Sequence, residues 1–344
     1  SVDLVTALRE QQGRCPSLRN HEVHFHRHPF ILTEWPTQIL PYSTTPQGGT
    51  SDLGTIFRFN TATQALGILQ NLTGSASGQF AFDGLATDVV PGPSAVQLSA
   101  KLFLEGPFIS ATQRMNAALR SLVGVNGFPT TEPFTAAGFT IVGGGGETIN
   151  PAVLATTGDN AVVDWLLLEL RNKNNSANVL RTKAVLLQSD GDIVDLDNAS
   201  PVSFSMPADN YFVAFRSRNH LGVMTASAVA LSGTPLALDM TTGAVATFGS
   251  NAQKVIGSTR VCWAGNVARA VQNQLQYIGA GNDRDPILVR VGSTTPNGVI
   301  AGYFFEDVTM DGIVSYVGAG NDRDPILVNV GGTTPNNVLV EQLP

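Results

Sequence analysis

Charge is what this chain has least of: 14% of its 344 residues are Asp, Glu, Lys or Arg, against roughly 25% in an average soluble domain. The net charge of -7 and the scatter of single Lys and Arg residues leave no basic stripe to neutralise phosphates, which excludes a nucleic-acid binder. Long apolar runs are missing too. The longest, Ala161 to Leu170, is interrupted by Asp164 and Glu169 and is too short for a bilayer core of about 30 Å, which excludes a transmembrane helix. Cysteine is nearly absent: Cys15 and Cys262 permit one disulfide or two buried thiols, but no disulfide framework.

Catalytic equipment is equally thin. Beyond residue 28 the only histidine is His220, and there is no Gly-x-Ser-x-Gly elbow, no His-Glu-x-x-His and no phosphate loop ending in Gly-Lys. The run Gly143 to Gly146 lacks the cation that a phosphate loop needs and reads as a turn between strands. A hydrolase with paired carboxylates escapes this exclusion, because its two acids need not be neighbours in the chain. The expectation is nevertheless a protein that is not an enzyme.

What the chain does have is a sentence said twice. Gly279-Ala280-Gly281-Asn282-Asp283-Arg284-Asp285-Pro286-Ile287-Leu288-Val289 returns unchanged as Gly318 to Val328. A duplicated unit of this kind is expected to be a strand and turn that buries its apolar side against its twin.

Upstream, Val2, Val5 and Leu8 have helical spacing up to Gly13, and Cys15 to Gly49 carries five prolines, which forbid a long helix or a central strand and predict an extended arm. Short apolar runs punctuated by Gly, Ser, Asn and Pro predict strands around Ile56, Phe57 and Phe59, around Phe80 and Phe82, and through Val96, Leu98, Leu102 and Leu104. Ser110 caps an expected helix to Val123 along Met115, Leu119 and Leu122. Further strands are expected over 139–142, 162–171, 184–188, 211–216 and 226–231, joined by turn chemistry at Asn172 to Asn175 and Ser189 to Asp192.

The fold class is therefore mainly β: antiparallel β-sandwich domains with few short helices and a C-terminal tandem-repeat module. The expected divisions are an N-terminal helix and Pro-rich arm (1–50), a β domain (51–107), a helical connector (108–135), a β-sandwich domain (136–250) and the repeat module (251–344).

Asp307, Thr309 and Asp311 place side-chain oxygens at alternate positions, Gly312 follows directly, and Ile313 holds the seventh place, as in the first half of a calcium loop. The twelfth place is Gly318, so the remaining oxygens have to come from Asp322 and Asp324, or from Asp283 and Asp285 of the other copy. The equivalent stretch before the first copy, Asn266 to Ala270, has lost its acids, so one site is expected rather than two. A second reading has these aspartates bracing turns by side-chain to backbone bonds and pairing with Arg284 and Arg323, while Pro286 and Pro325 hold the preceding residue extended.

The acids Asp190, Asp192, Asp195 and Asp197 read as a hairpin with an Asp-Gly turn rather than a metal site. His24, His26 and His28 fall on one face of an extended strand near His21 and Glu22; zinc or copper is one use, a solvated histidine-rich arm the other.

Leu104 to Phe108, Thr131-Glu132-Pro133-Phe134, Gly143 to Thr148, Val163-Asp164-Trp165, Leu187 to Asp192, Arg218-Asn219-His220-Leu221-Gly222 and the paired repeats together resemble the C-terminal region of large secreted surface proteins of Bacteroidota, labelled haemagglutinin-like or adhesin-like. The similarity covers about residues 100 to 344. In that family the run before each repeat looks like a dockerin-type half-loop, which the resemblance carries onto Asp307, Thr309, Asp311 and Gly312.

The resemblance implies export and an extracellular or cell-surface location, in keeping with a chain that opens at Ser1 without methionine. The expectation is a non-catalytic, calcium-binding surface protein that assembles with copies of itself into a fibre, layer or adhesive coat. The alternatives are a monomeric carbohydrate- or receptor-binding adhesin module, with Trp35, Trp165 and Trp263 as its candidate aromatics, and a secreted hydrolase.

Overall fold

The computed structural model describes residues 95–268 and 273–344 in full and, before them, the backbone of four strands. The expected helix over 1–12, most of the Pro-rich arm with Cys15, Trp35 and the histidine cluster, and the strand at Phe80 and Phe82 lie outside the described residues. The chain divides into two compact units, 1–93 and 94–344.

The four strands of the first unit, β1 (Leu40–Thr45), β2 (Thr55–Asn60), β3 (Ala65–Asn71) and β4 (Ala86–Asp88), form an antiparallel sheet in the order β3-β2-β1-β4. Here the proline argument needs correcting, because β1 contains Pro41 and is a central strand. The reason lies in the register. The β1–β2 ladder runs from Tyr42 to Thr45, while the β1–β4 ladder runs from Leu40 to Tyr42. Pro41 therefore has a ladder on one side only and behaves as an edge residue.

The second unit is built on a nine-stranded sheet. Its strands are β5 (Ala95–Lys101), β8 (Val162–Asn172), β9 (Asn175–Gln188), β10 (Asp192–Val194), β11 (Val202–Ser205), β12 (Asp209–Arg216), β13 (Val223–Met224), β14 (Val229–Leu231) and β15 (Leu236–Asp239). The order is β11-β5-β10-β9-β8-β12-β13, with β14 on β12 and β15 on β5, and only β5–β15 is parallel. The small ribbons β6 (Phe108–Ile109) with β7 (Arg114–Met115), and β16 (Lys254–Ile256) with β17 (Thr259–Val261), lie outside that path. The architecture is mainly β and antiparallel, with two short α-helices among the described residues.

The long hairpin β8–β9 is the spine. Asn172 Oδ1 accepts the amide of Asn174 at 2.8 Å in its turn, as the Asn-rich joint suggested. Every residue from Val162 to Arg171 is buried, which is why this run is continuous instead of alternating. The acids Asp190 to Asp197 form the β9–β10 hairpin and its flank, with Asp192 paired to Lys101 at 2.7 Å and Asp195 to Lys183 at 2.6 Å.

The segment expected as a helical connector is a hairpin followed by one 3-10 turn, Ala118–Ser121. Met115 and Leu119 are buried, but Val123 and Val125 are exposed, so the apolar spacing never makes a continuous helical stripe. Residues 139–142 form no strand either. Instead Glu132 gathers the amides of Phe134, Thr135 and Gly146, and these contacts, with the Thr135 hydroxyl, hold its carboxyl below the usual range against the opposing effect of burial.

The repeated stretch also differs from expectation. In both copies it folds as a turn followed by a helix, α1 (Arg284–Arg290) and α2 (Arg323–Asn329). Asn282 Oδ1 accepts the amide of Asp285 at 2.9 Å, and Asn321 does the same for Asp324 at 3.0 Å. Such a side chain satisfies an open amide of the first helical turn. Pro286 and Pro325 sit in that first turn, where a missing N–H costs nothing, so the residue before each proline is helical and not extended.

The two copies exchange partners. β18 (Gln274–Gln276) pairs with β21 (Val338–Val340), β19 (Val299–Ala301) pairs with β20 (Ile313–Ser315), α1 packs on β20 and α2 on β18. Ala264, Val267, Ile287, Val308, Val314 and Ile326 make one shared apolar cluster.

Candidate cation loop and its anchorage

Two buried carboxylates organise the second half-loop. Asp307 Oδ2 accepts the amide of Gly312 at 2.9 Å and its Oδ1 that of Asp311 at 3.2 Å. Asp322 Oδ1 accepts the amide of Thr309 at 3.0 Å and its Oδ2 that of Ser315 at 2.8 Å. The Thr309 hydroxyl stands between them, 3.4 Å from Asp307 Oδ1 and 3.3 Å from Asp322 Oδ1. A tight turn makes this convergence possible, with Met310 at φ 57° and Gly312 at φ 90°.

Crowding of acids out of water has an electrostatic result. Burial pushes Asp307 up to about 6 against the pull of Arg218, with the charge of Asp311 adding to the rise. Burial pushes Asp322 up to about 7 despite the amides of Ser315 and Thr309, and Asp307 and Asp311 add to it. A hard cation beside them would relieve that penalty, and among the candidate acids only Asp307 and Asp322 bring buried carboxylates to this turn.

The remaining candidates are elsewhere. Asp324 bonds Arg323 and Asn321, and Asp285 bonds Arg284 and Asn282. Asp283 holds the first copy, accepting the amides of Val267, Ala268 and Gln276 at 2.8 Å each. It is pushed up to about 6 by burial. Asp311 is exposed and its Oδ1 accepts the amide of Ile313 at 2.9 Å. Among the described residues, no group of three or more His, Cys, Asp or Glu side chains is placed to hold a metal. Asp283 and Asp322 bond turn amides, and Asp285 and Asp324 face Arg284 and Arg323.

The half-loops are anchored to the sheet by the run Arg218 to Gly222, which follows β12. Arg218 and Asp164 are fully buried and paired at 2.7 Å. Tyr303 donates its hydroxyl to Asp164 at 2.5 Å, the guanidinium lies 4.5 Å from the Tyr303 ring centre, and Arg218 also donates to the Phe304 carbonyl.

Asn219 reaches both half-loops. Its side chain donates to the carbonyls of Asp307 at 2.6 Å and Phe305 at 3.2 Å. Its own carbonyl accepts the amides of Gly265 and Asn266 at 3.0 and 2.9 Å.

His220 Nε2 accepts the amide of Gly106 at 3.0 Å while Nδ1 lies 2.8 Å from Asn219 Oδ1. Nδ1 thus carries the proton of a neutral ring, and burial, reinforced by Arg218, pushes the imidazole down to about 3. A Cβ on Gly106 would lie 2.0 Å from the Val308 carbonyl, so only glycine allows that approach. Gly222 donates to Glu341 at 2.6 Å, and Glu341 faces Arg216 at 3.4 Å.

In the sequence Arg218 to Gly222 and Val163-Asp164-Trp165 carry no local mark of these roles. The available signal was polar residues in apolar settings, above all Asp164 inside the longest hydrophobic run.

The aromatic candidates separate. Trp165 is fully buried and donates to the Pro129 carbonyl at 3.0 Å. Trp263 is half-buried and donates to the Asn251 carbonyl at 2.9 Å. Cys262 is a free buried thiol that burial pushes far up.

No family model, curated protein or solved structure matches the chain.

Proposed function

We propose that this is a non-catalytic structural protein of an extracellular or cell surface, a β-rich building block that assembles with copies of itself and whose C-terminal half-loop takes calcium as a brace. The observation that carries the reading is the convergence of Asp307, Asp322 and the Thr309 hydroxyl on a segment that Arg218 and Asn219 wire into the sheet. Polar groups buried in this region are spent on joining segments rather than on lining a cleft. The low charge supports assembly over a solitary state. A glycan-binding role draws less support, because Trp165 is core.

Electron microscopy and light scattering of the purified protein, with calcium and after chelation, test the reading. Polymers or defined oligomers that depend on calcium are the expected result. A monomer at high concentration in both conditions rules it out.

A further inference from the structure

Three side chains distant in sequence meet where the end of α2 comes against the segment between β5 and β6. Lys254 is ion-paired with Glu105, and its Nζ lies 2.7 Å from Asn329 Oδ1. The other oxygen of Glu105 accepts Asn329 Nδ2 at 2.6 Å, and the same nitrogen donates to the Ala264 carbonyl at 3.0 Å. Access to water is restricted: the Lys254 and Glu105 side chains are 22% and 12% exposed and Asn329 is 8% exposed. The Trp263 ring flanks the ammonium, 5.5 Å from its centre.

An amine is thus held against a primary carboxamide by a carboxylate that touches both. With Nζ 2.7 Å from Oδ1 and a C=O bond of about 1.2 Å, the amine lies within about 4 Å of Asn329 Cγ. A near-attack contact of roughly 3–3.5 Å needs only a small turn of the lysine stem.

We propose that Lys254 and Asn329 join through an intramolecular isopeptide bond, with Glu105 as the general acid and base that carries the protons. Glu105 takes one proton from the Lys254 ammonium, and the freed lone pair attacks Asn329 Cγ to form the Nζ–Cγ bond. The carbonyl π pair moves onto Oδ1 and returns as the Cγ–Nδ2 bond breaks. The two protons that Nζ gives up pass through Glu105 to Nδ2, which leaves as ammonium and restores the Glu105 carboxylate. One amide replaces another, nothing is oxidised or reduced, and no cofactor is consumed.

The two copies of the repeat differ at this point. α1 ends in Arg290, which meets Glu306 at 3.0 Å, so only the second copy presents the carboxamide. The bond would staple the β16 ribbon to the last helix whether or not the half-loop takes a cation.

Intact-mass measurement of the purified full chain tests this without any variant. The expected mass is one ammonia below the sum of the residues, and protease digestion is expected to release a branched peptide joining Lys254 to Asn329. Lys254→Arg and Glu105→Gln chains are expected at full residue mass with no branched peptide. A wild-type chain at full residue mass after folding and prolonged warming overturns the proposal. So does a missing ammonia that maps to a succinimide, for instance at Asn297-Gly298, and a fully cross-linked Glu105→Gln chain removes the role given to Glu105.

Discussion

The side-chain amide of Asn219 donates to the main-chain carbonyl of Asp307 at 2.6 Å, so the first residue of the half-loop is fixed by its backbone while its carboxylate faces inward. Removing that amide takes a hydrogen bond from the buried carbonyl of Asp307 and from that of Phe305. The Asn219→Ala protein is expected to lose about 1–3 kcal/mol of unfolding free energy and to bind calcium more weakly than wild type. Urea titration and calorimetry check the two effects separately.

His220 gives the fold a one-sided response to acid. Its folded pKa is depressed to about 3, against about 6.5 for a free histidine. Its contribution is therefore complete above pH 6.5 and is lost as the pH falls toward 3, because the unfolded chain takes up the proton first. The buried aspartates act in the opposite sense, so the comparison that isolates His220 is wild type against His220→Gln. The stability gap between them is expected to narrow steadily from pH 7 to pH 4 in thermal unfolding.

For Asp307 and Asp322 the folded pKa is raised, to about 6 and about 7, above an unfolded value of about 3.9. Without a cation their ionisation penalises the fold increasingly as pH rises from about 4 through 7. Calcium is expected to raise the unfolding temperature more at pH 8 than at pH 5. Asp322→Asn should abolish most of that difference, and a thermal-shift series with and without chelator reads it directly.

The Arg218–Asp164 pair offers a test of burial. Taking away one partner leaves a charge with no access to water, so Asp164→Leu is expected to cost about 3–5 kcal/mol. The double change Asp164→Leu with Arg218→Met should recover a substantial part, because both desolvated charges go together. Chemical denaturation of the two single variants and the double variant closes the cycle.

Much of the sheet was legible in the sequence, since strands such as 55–60, 162–172 and 209–216 carry β-branched and aromatic residues between turn signals. The region 108–123 was not, because Met115 and Leu119 join the core of the sheet from a hairpin and a 3-10 turn and only mimic a helical face. The repeat was recognisable as a unit but misread as a strand: the Asn282 and Asn321 side chains that start each helix act through geometry, and proline spacing alone argued the other way. Asp307 could be picked out by spacing, and Asp322 only as one of four candidate aspartates. Asp283, Asp285 and Asp324 could not be separated from Asp322, because the choice is made by which backbone amides each carboxylate meets. The anchors Asn219 and His220 work through partners far along the chain, and no local pattern announces them.

The exchange of strands between the two copies also sets an order of events during synthesis. The strand that opens the first copy has no mate until residues 338–340 have left the ribosome, so this ribbon is the last pairing the two copies can make. A polypeptide halted before that point would display the lone edge of β18 to its surroundings, the sort of surface that chaperones hold and proteases find.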